Sequence, residues 1–231
     1  VTQGGDWGYF LSRLLSHRYP THVRACHLYT IRAYPPSITQ HPLLYIRNLL
    51  TPLSPFERAG QSRTTWFETS GSAYGALHST APQTLSYALH SPLALLAWIY
   101  EKLHTWTDAY PWTDDEILTW ISIYAFSRAG PHASIRIYYE AQHVDPGLRE
   151  RLIRSWMPQP LGLSYFPKEL QIGRLLWGRT LGKVVLERTY ERGGHFAAWE
   201  CPEEVVRDLR EMCGRGGGAE GVVEGRCGFD G

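Results

Sequence analysis

The sequence predicts an α/β protein: a partial parallel sheet flanked by helices, with a helical block inserted between its strands. Three observations predict it. Near the start, glycines frame an acidic residue in Gly4-Gly5-Asp6-Trp7-Gly8, and an amphipathic stretch follows on Tyr9, Phe10, Leu14 and Leu15. From about residue 36 to 146 every strong signal is helical. Two short apolar runs of strand character then return, each followed by a loop that carries a titratable side chain.

Taken in order, residues 1–3 read as the end of a strand and residues 9–17 as the helix behind it, closed by Tyr19-Pro20. Between them, a sharp strand-to-helix turn exposes the residue at its tip, and glycines on either side let backbone pass close by. The same five residues also fit an ordinary glycine-rich surface turn. Residues 22–31 are strand-like on Val23, Ala25, Leu28 and Ile31, with Cys26, His27 and Tyr29 blurring the alternation. Pro35-Pro36 ends that pattern. Ser54-Pro55-Phe56-Glu57 starts a helix, with Ser as cap and Pro in the first turn. Ser91-Pro92 starts another, and its body, residues 93–99, is apolar nearly all round, the pattern of a buried helix. Thr113-Asp114-Asp115-Glu116 is a capping box, opening a helix through Ile117, Leu118, Ile121 and Ile123. Beyond Pro131 a further helix is expected from about residue 134 to 142.

After Asp145-Pro146-Gly147, residues 161–166 read as a buried strand and 169–177 as a short helix. Residues 183–189 read as a second buried strand and 192–195 as a tight turn. Residues 202–212 form an amphipathic helix on Val205, Val206, Leu209 and Met212, with Gly214 as its stop. The glycine-rich stretch 214–231 is expected to be disordered. Its Gly216-Gly217-Gly218 follows a helix rather than a strand, so it is not a phosphate loop. The expected organisation is residues 1–35 and 147–213 as two parts of one core, 36–146 as a helical insertion, and 214–231 as tail.

Composition narrows the function. A net charge of +1, with basic residues scattered among acidic ones, implies no nucleic-acid partner. Nine Trp and fourteen Tyr serve either to fill a core, the commoner use, or to line an apolar pocket. Cys26, Cys201, Cys213 and Cys227 show no C-x-x-C spacing, so neither a zinc site nor a disulfide framework is indicated. Reduced thiols in a cytoplasmic protein are the simplest expectation, with no metal and no cofactor. The longest apolar run, residues 92–100, is too short to span a bilayer.

Asp6, Glu169 and His195 each fall at the carboxyl end of an expected strand, the edge where open α/β sheets bind ligands. Their order matches the nucleophile, acid and histidine of α/β-hydrolases, with Asp at the elbow where Ser is commoner. The helical block lies where that fold carries its lid. Glu169 also suits an ordinary helix start, where carboxylates are favoured.

Several stretches together resemble the microsomal-type epoxide hydrolases, particularly the fungal soluble members. They are Gly4-Gly5-Asp6-Trp7-Gly8, Tyr165-Phe166-Pro167-Lys168-Glu169-Leu170, Arg192-Gly193-Gly194-His195-Phe196-Ala197-Ala198-Trp199-Glu200, and, in the helical block, Pro82-Gln83-Thr84, Ser91-Pro92, Ala97-Trp98-Ile99-Tyr100-Glu101-Lys102 and Ser134-Ile135-Arg136-Ile137-Tyr138-Tyr139-Glu140. The likeness runs from Val1 to about Gly214. It implies the C-terminal half of an α/β-hydrolase fold with a helical lid insertion. It also implies roles: Asp6 as nucleophile, His195 as base, Glu169 as the acid partner of that base, and Tyr74 and Tyr138 as ring-opening phenols. Tyr139 is adjacent, and the spacing from Arg136 favours Tyr138. The backbone N–H of Trp7 is the expected oxyanion donor. The implied partners are an epoxide and water.

Members of that family carry the first half of the sheet, with a second oxyanion donor, before the elbow. Here nothing precedes Val1, and the chain opens inside a motif. The expectation is an N-terminally truncated enzyme, marginally folded or impaired by itself. Its exposed sheet edge is expected to offer a self-association surface. Two alternatives stay open: a haloalkane dehalogenase-like hydrolase, which also uses Asp followed by Trp but needs no paired phenols, and a non-catalytic remnant.

Overall fold

A computed structural model describes residues 1–225; the fourth cysteine, Cys227, and the last part of the expected tail lie outside the described residues. Four parallel strands are found among the described residues: β1 (Thr2–Gly4), β2 (Cys26–Leu28), β3 (Met157–Tyr165) and β4 (Gly182–Thr189), in the order β1-β2-β3-β4. The helices begin with α1 (Trp7–Arg18), α2 (Pro42–Leu50) and α3 (Pro55–Trp66), which runs on into a π-helical turn (Phe67–Gly71). Then come α4 (Ala73–Thr80), α5 (Pro82–Ala88), α6 (Pro92–Trp106), α7 (Asp114–Phe126) and α8 (Ala133–His143). The last four are α9 (Leu148–Arg154), α10 (Leu175–Gly178), α11 (Ala197–Glu200) and α12 (Pro202–Cys213). The chain divides into a sheet unit, residues 1–64 with the chain from Arg149 onward, and a helical unit, Thr65–Leu148.

In the sheet unit both faces of the sheet are buried. Cys26 and Leu28 of β2 and Met157, Leu161, Leu163 and Tyr165 of β3 pack with Tyr9 of α1. The alternate residues face α12, whose Met212 packs with Ala25 and Leu186. Burial on both faces is the habit of parallel strands, and it is why residues 22–31 show no clean alternation. His27 points to the α12 face with 0% exposure. Its Nε2 meets Ser164 Oγ at 2.8 Å, and Ser164 donates to Asp208 Oδ2 of α12 at 2.5 Å. Arg188 of β4 donates to the other Asp208 oxygen. Burial pushes His27 down to about 4, so it is a neutral member of this buried polar chain.

Arg13 of α1 is also wholly buried. Its guanidinium donates to the carbonyls of Leu152, Ser155 and Leu181 at 2.5–3.2 Å. It thereby satisfies carbonyls at the C-terminal end of α9, which no further helical turn can reach.

Several expectations are corrected. Residues 36–64, expected in the helical insertion, belong to the sheet unit. Side chains there bind the loop after β3: Leu175 N–H donates to Glu57, Ile172 N–H to Thr64 Oγ1, and Arg174 to the Asn48 carbonyl. That loop is not the helix expected at 169–177; only α10 is helical. The N–H groups of Leu170, Ile172 and Leu175 are met by side chains instead of a helical ladder. Within the helical unit, α6 is half-buried rather than enclosed: Leu95, Leu103 and Trp106 are covered, while Leu93 is 73% exposed. The capping box at Thr113 and Glu116 and the Ser91 cap form as expected. Part of the expected tail is packed. Ala219 is buried against Ala25, Leu186 and Met212, and its N–H donates to the Met212 carbonyl at 2.9 Å.

Among the described residues no helix is long and apolar enough to cross a membrane, and no group of three His, Cys, Asp or Glu side chains could hold a metal ion. Cys26, Cys201 and Cys213 are free thiols.

Candidate active site

The turn between β1 and α1 carries a residue in a rare conformation. Asp6 has φ 47° and ψ −119°, a positive φ that costs an ordinary side chain energy and persists only where the surroundings fix it. The surroundings do so. Gly8 N–H donates to the Gly5 carbonyl at 2.7 Å and Tyr9 N–H to the Asp6 carbonyl at 3.1 Å. A Cβ on Gly4 would overlap the Gly8 carbonyl, so the close crossing needs glycine there. The Tyr29 ring lies against Gly5. Tyr9 is buried and donates to the Arg32 carbonyl at 2.5 Å, pinning α1 behind the turn. The result is an Asp6 side chain 38% exposed at the tip of the bend, with Trp7 as the first residue of α1.

The loops after β3 and β4 are tied to each other. Lys168 N–H donates to the Gly193 carbonyl at 3.0 Å, Tyr190 N–H to the Tyr165 carbonyl at 2.9 Å, and the Phe166 and Tyr190 rings stack 4.8 Å apart. Gly193 has φ 103°, and a Cβ there would strike the Phe166 ring and Cys201 Sγ. Glu200 accepts from Gly194 N–H at 3.0 Å. These contacts carry Glu169 and His195 to one place. His195 Nδ1 and Glu169 Oε1 are 2.6 Å apart, a charge-assisted hydrogen bond in which the imidazole donates. Glu169 Oε1 also accepts from Leu170 N–H at 2.6 Å, and Oε2 accepts from Thr30 Oγ1 at 2.7 Å. The other imidazole nitrogen, Nε2, stands 3.6 Å from Asp6 Oδ1. The sheet unit thus brings Asp6, His195 and Glu169 into one row, with Glu169 and His195 buried and Asp6 open to one side.

The charges in the row are mutually dependent. Burial alone would raise the Glu169 pKa, but His195, Leu170 N–H and Thr30 together hold it below its ordinary value. Burial alone would lower that of His195, but Glu169 and then Asp6 hold it above its ordinary value. Tyr29 is pushed up to about 12 by burial and by the charges of Glu169 and Asp6, so its phenol keeps its proton.

In the helical unit, Tyr74 of α4 and Tyr138 of α8 lie together, their rings edge to face at 5.7 Å. The Tyr138 ring also stacks on His78 at 4.2 Å. Its neighbour Tyr139 stacks on His143 instead and is exposed. The two phenols singled out by sequence are therefore partners within one cluster, and Tyr139 is not part of it.

Sequence reasoning missed Thr30, which holds the free oxygen of Glu169. The signal was present: Thr30 lies just past β2, at the strand edge that carries the other three residues. It missed His78 and Lys102 as well, whose places in the aromatic cluster only packing reveals. A groove of about 1170 Å³ runs along α12 and the turn at 214–218, and none of the candidate residues lines it.

No model of a known protein family matches the chain. In sequence, a putative epoxide hydrolase of Stigmatella aurantiaca is 35% identical over 219 residues, covering 91% of this chain and 46% of that protein. Epoxide hydrolase 1 of Sus scrofa is 30% identical over 236 residues, covering 92% and 50%. In structure, Aspergillus niger epoxide hydrolase matches 90% of this chain and 50% of its own, with a TM-score of 0.71 and 38% identity. The juvenile hormone epoxide hydrolase of Bombyx mori matches 90% and 52%, with a TM-score of 0.74 and 25% identity. The parallel sheet flanked by helices is the α/β-hydrolase architecture of these neighbours. The chain spans about half the length of the curated relatives it matches.

Proposed function

We propose that this chain, similar over nine tenths of its length to proteins named epoxide hydrolase, opens epoxides to vicinal diols through an ester on Asp6. The observation that carries the reading is His195, set between a buried carboxylate 2.6 Å from one ring nitrogen and an exposed carboxylate 3.6 Å from the other. A serine nucleophile would need that imidazole in order to attack. An aspartate does not, because its carboxylate, of ordinary pKa about 3.9, is already ionised at neutral pH. The imidazole is then left for the second half of the reaction.

In the first half, Asp6 attacks an epoxide carbon from behind. The carbon–oxygen bond breaks with its electron pair on oxygen, and Tyr74, paired with Tyr138, donates the proton that this alkoxide requires. A phenol of pKa about 10 keeps its proton at rest yet is a far better donor to an alkoxide than water. A departing halide would need no proton, so the paired phenols favour an epoxide over a haloalkane. In the second half, neutral His195 takes a proton from water as that water attacks the ester. Glu169 fixes the imidazole tautomer and stabilises the imidazolium. The backbone N–H of Trp7 donates to the oxyanion that forms. No metal or cofactor enters these steps. We also infer a cytoplasmic setting from the unpatterned cysteines, and self-association through the β1 edge of the sheet.

The test is a mass measurement after mixing with styrene oxide. The peptide holding Asp6 gains the mass of the epoxide. His195→Gln makes that adduct accumulate, because the ester forms but is not hydrolysed. Turnover that survives Asp6→Ala refutes the mechanism.

A further inference from the structure

On one face of α6, Trp98, Lys102 and Trp106 succeed one another at intervals of four residues, and α4 sets Tyr74 and His78 at the same interval. Their rings close on one another. Tyr74 lies 5.1 Å from Trp106 and 5.7 Å from His78, and His78 lies 5.6 Å from Trp98. Into this cluster Lys102 brings an ammonium group. Its Nζ is 4.7 Å from the ring centre of Trp98, 5.6 Å from that of Tyr74 and 5.8 Å from that of Trp106. The Lys102 side chain is only 12% exposed, while its ion-pair partner Glu101, 2.7 Å away, is 59% exposed. A lysine that served only a surface ion pair would keep its head group in water. This one has three aromatic faces in place of most of its hydration, each within the roughly 6 Å over which a ring attracts a cation.

We propose that Lys102 is a positioning residue for ring opening: its charge stabilises the phenolate that Tyr74 becomes as it gives its proton to the epoxide oxygen. The proposal rests on the reading of Tyr74 as proton donor. In that step a bond forms between Asp6 Oδ and carbon, the epoxide carbon–oxygen bond breaks, and the Tyr74 proton moves to the new alkoxide, leaving a phenolate that solvent later reprotonates. Negative charge grows on Tyr74 only as the transition state is reached, so a fixed cation over its ring favours that state above the ground state. Beside Tyr74, titratable groups near Lys102 are His78 on α4 and Glu101 on α6 itself, and Tyr138 on α8 stacks on His78. Burial, and then the charge of Lys102, hold His78 below its ordinary pKa. It is neutral at neutral pH and adds no second cation.

Ester formation on Asp6 is timed in single turnovers with styrene oxide, and the Tyr74 phenol is titrated by NMR in the full chain labelled at the tyrosine ring carbons, its signal assigned by its loss in Tyr74→Phe. Lys102→Met is expected to slow ester formation about tenfold and to leave ester hydrolysis unchanged. It is expected to raise the Tyr74 pKa, to have no further effect on ester formation in a Tyr74→Phe background, and to be rescued by Lys102→Arg. An unmoved Tyr74 titration, equal slowing of both steps, or a folded Lys102→Arg variant as slow as Lys102→Met would overturn the proposal. The titration needs no turnover. A chain that never forms the Asp6 ester refutes the epoxide hydrolase reading, and the titration still decides whether Lys102 acts on Tyr74.

Discussion

His195 sits where burial and two carboxylates pull its proton in opposite directions. The carboxylates win in the free protein, so its pKa lies above the ordinary 6.5. Once Asp6 carries an ester its charge is gone, and one of the two attractions disappears. The imidazole therefore becomes easier to deprotonate in the intermediate that needs a base. NMR titration of His195 in the free protein should give a higher midpoint than the pH profile of ester decay, which rises with pH as His195 becomes neutral. Glu169→Gln removes the larger attraction, leaving burial opposed by Asp6 alone in the free protein and by neither carboxylate in the ester, so it should shift both midpoints downward. Equal midpoints for the free and esterified states would contradict this account. Thr30 acts one step further out, by donating to Glu169 Oε2. A hydrogen bond to a charged group contributes roughly 1.5–3 kcal/mol, so Thr30→Val should slow ester decay about tenfold or more while ester formation stays unchanged. Thr30→Ser should retain most of the rate. Gly193 is constrained by φ 103° and by Phe166. Gly193→Ala should lower thermal stability by more than about 1 kcal/mol, read as a shift in Tm, and displace His195.

At the scale of elements, what the sequence revealed and what it hid follow a physical line. Local signals sufficed for the Thr113–Glu116 capping box, for the Ser91 and Pro92 start, for the glycine-framed turn at Asp6 and for the apolar runs that became β3 and β4. Glu169 and His195 could be placed because each follows such a run. The segment 169–174 misled because its Leu170 N–H is met by the Glu169 side chain and its Ile172 N–H by Thr64, 108 residues away in sequence, and no helical pattern records such bonds. Residues 214–225 misled in the same way: their glycine content suits disorder, yet Ala219 is held by a core it meets only in the fold. Arg13 is the clearest case of a long-range tie, a charged residue on α1 that satisfies carbonyls more than 130 residues distant. Arg13→Met should lower the unfolding free energy by about 3 kcal/mol or more, since it removes a buried guanidinium that donates to three carbonyls, of which Leu152 and Leu181 keep another donor. Arg13→Lys should restore part of it. Urea denaturation measures both.

At the scale of the whole molecule, the sheet unit holds Asp6, His195 and Glu169, the proposed nucleophile, base and acid, in the loops that follow its parallel strands, and the helical unit holds Tyr74 and Tyr138 in one aromatic cluster. Among the described residues β1 is the outermost strand of the sheet and has three residues. The Nε2 of its central residue, Gln3, is buried without a hydrogen-bond partner. Edge strands of this kind pair with other chains unless a charge interrupts them. The proposed self-association through β1 predicts concentration dependence in sedimentation of this chain, weakened by Thr2→Lys. An association unaffected by that change would place the contact elsewhere. The central claim, that the Asp6 carboxylate and not water attacks the epoxide, is tested most directly by one turnover in water enriched in oxygen-18, with protein in excess over styrene oxide. The account predicts that the diol carries unlabelled oxygen taken from Asp6 while the heavy isotope appears in the Asp6 carboxylate. Label in the diol, with Asp6 unlabelled, would contradict it.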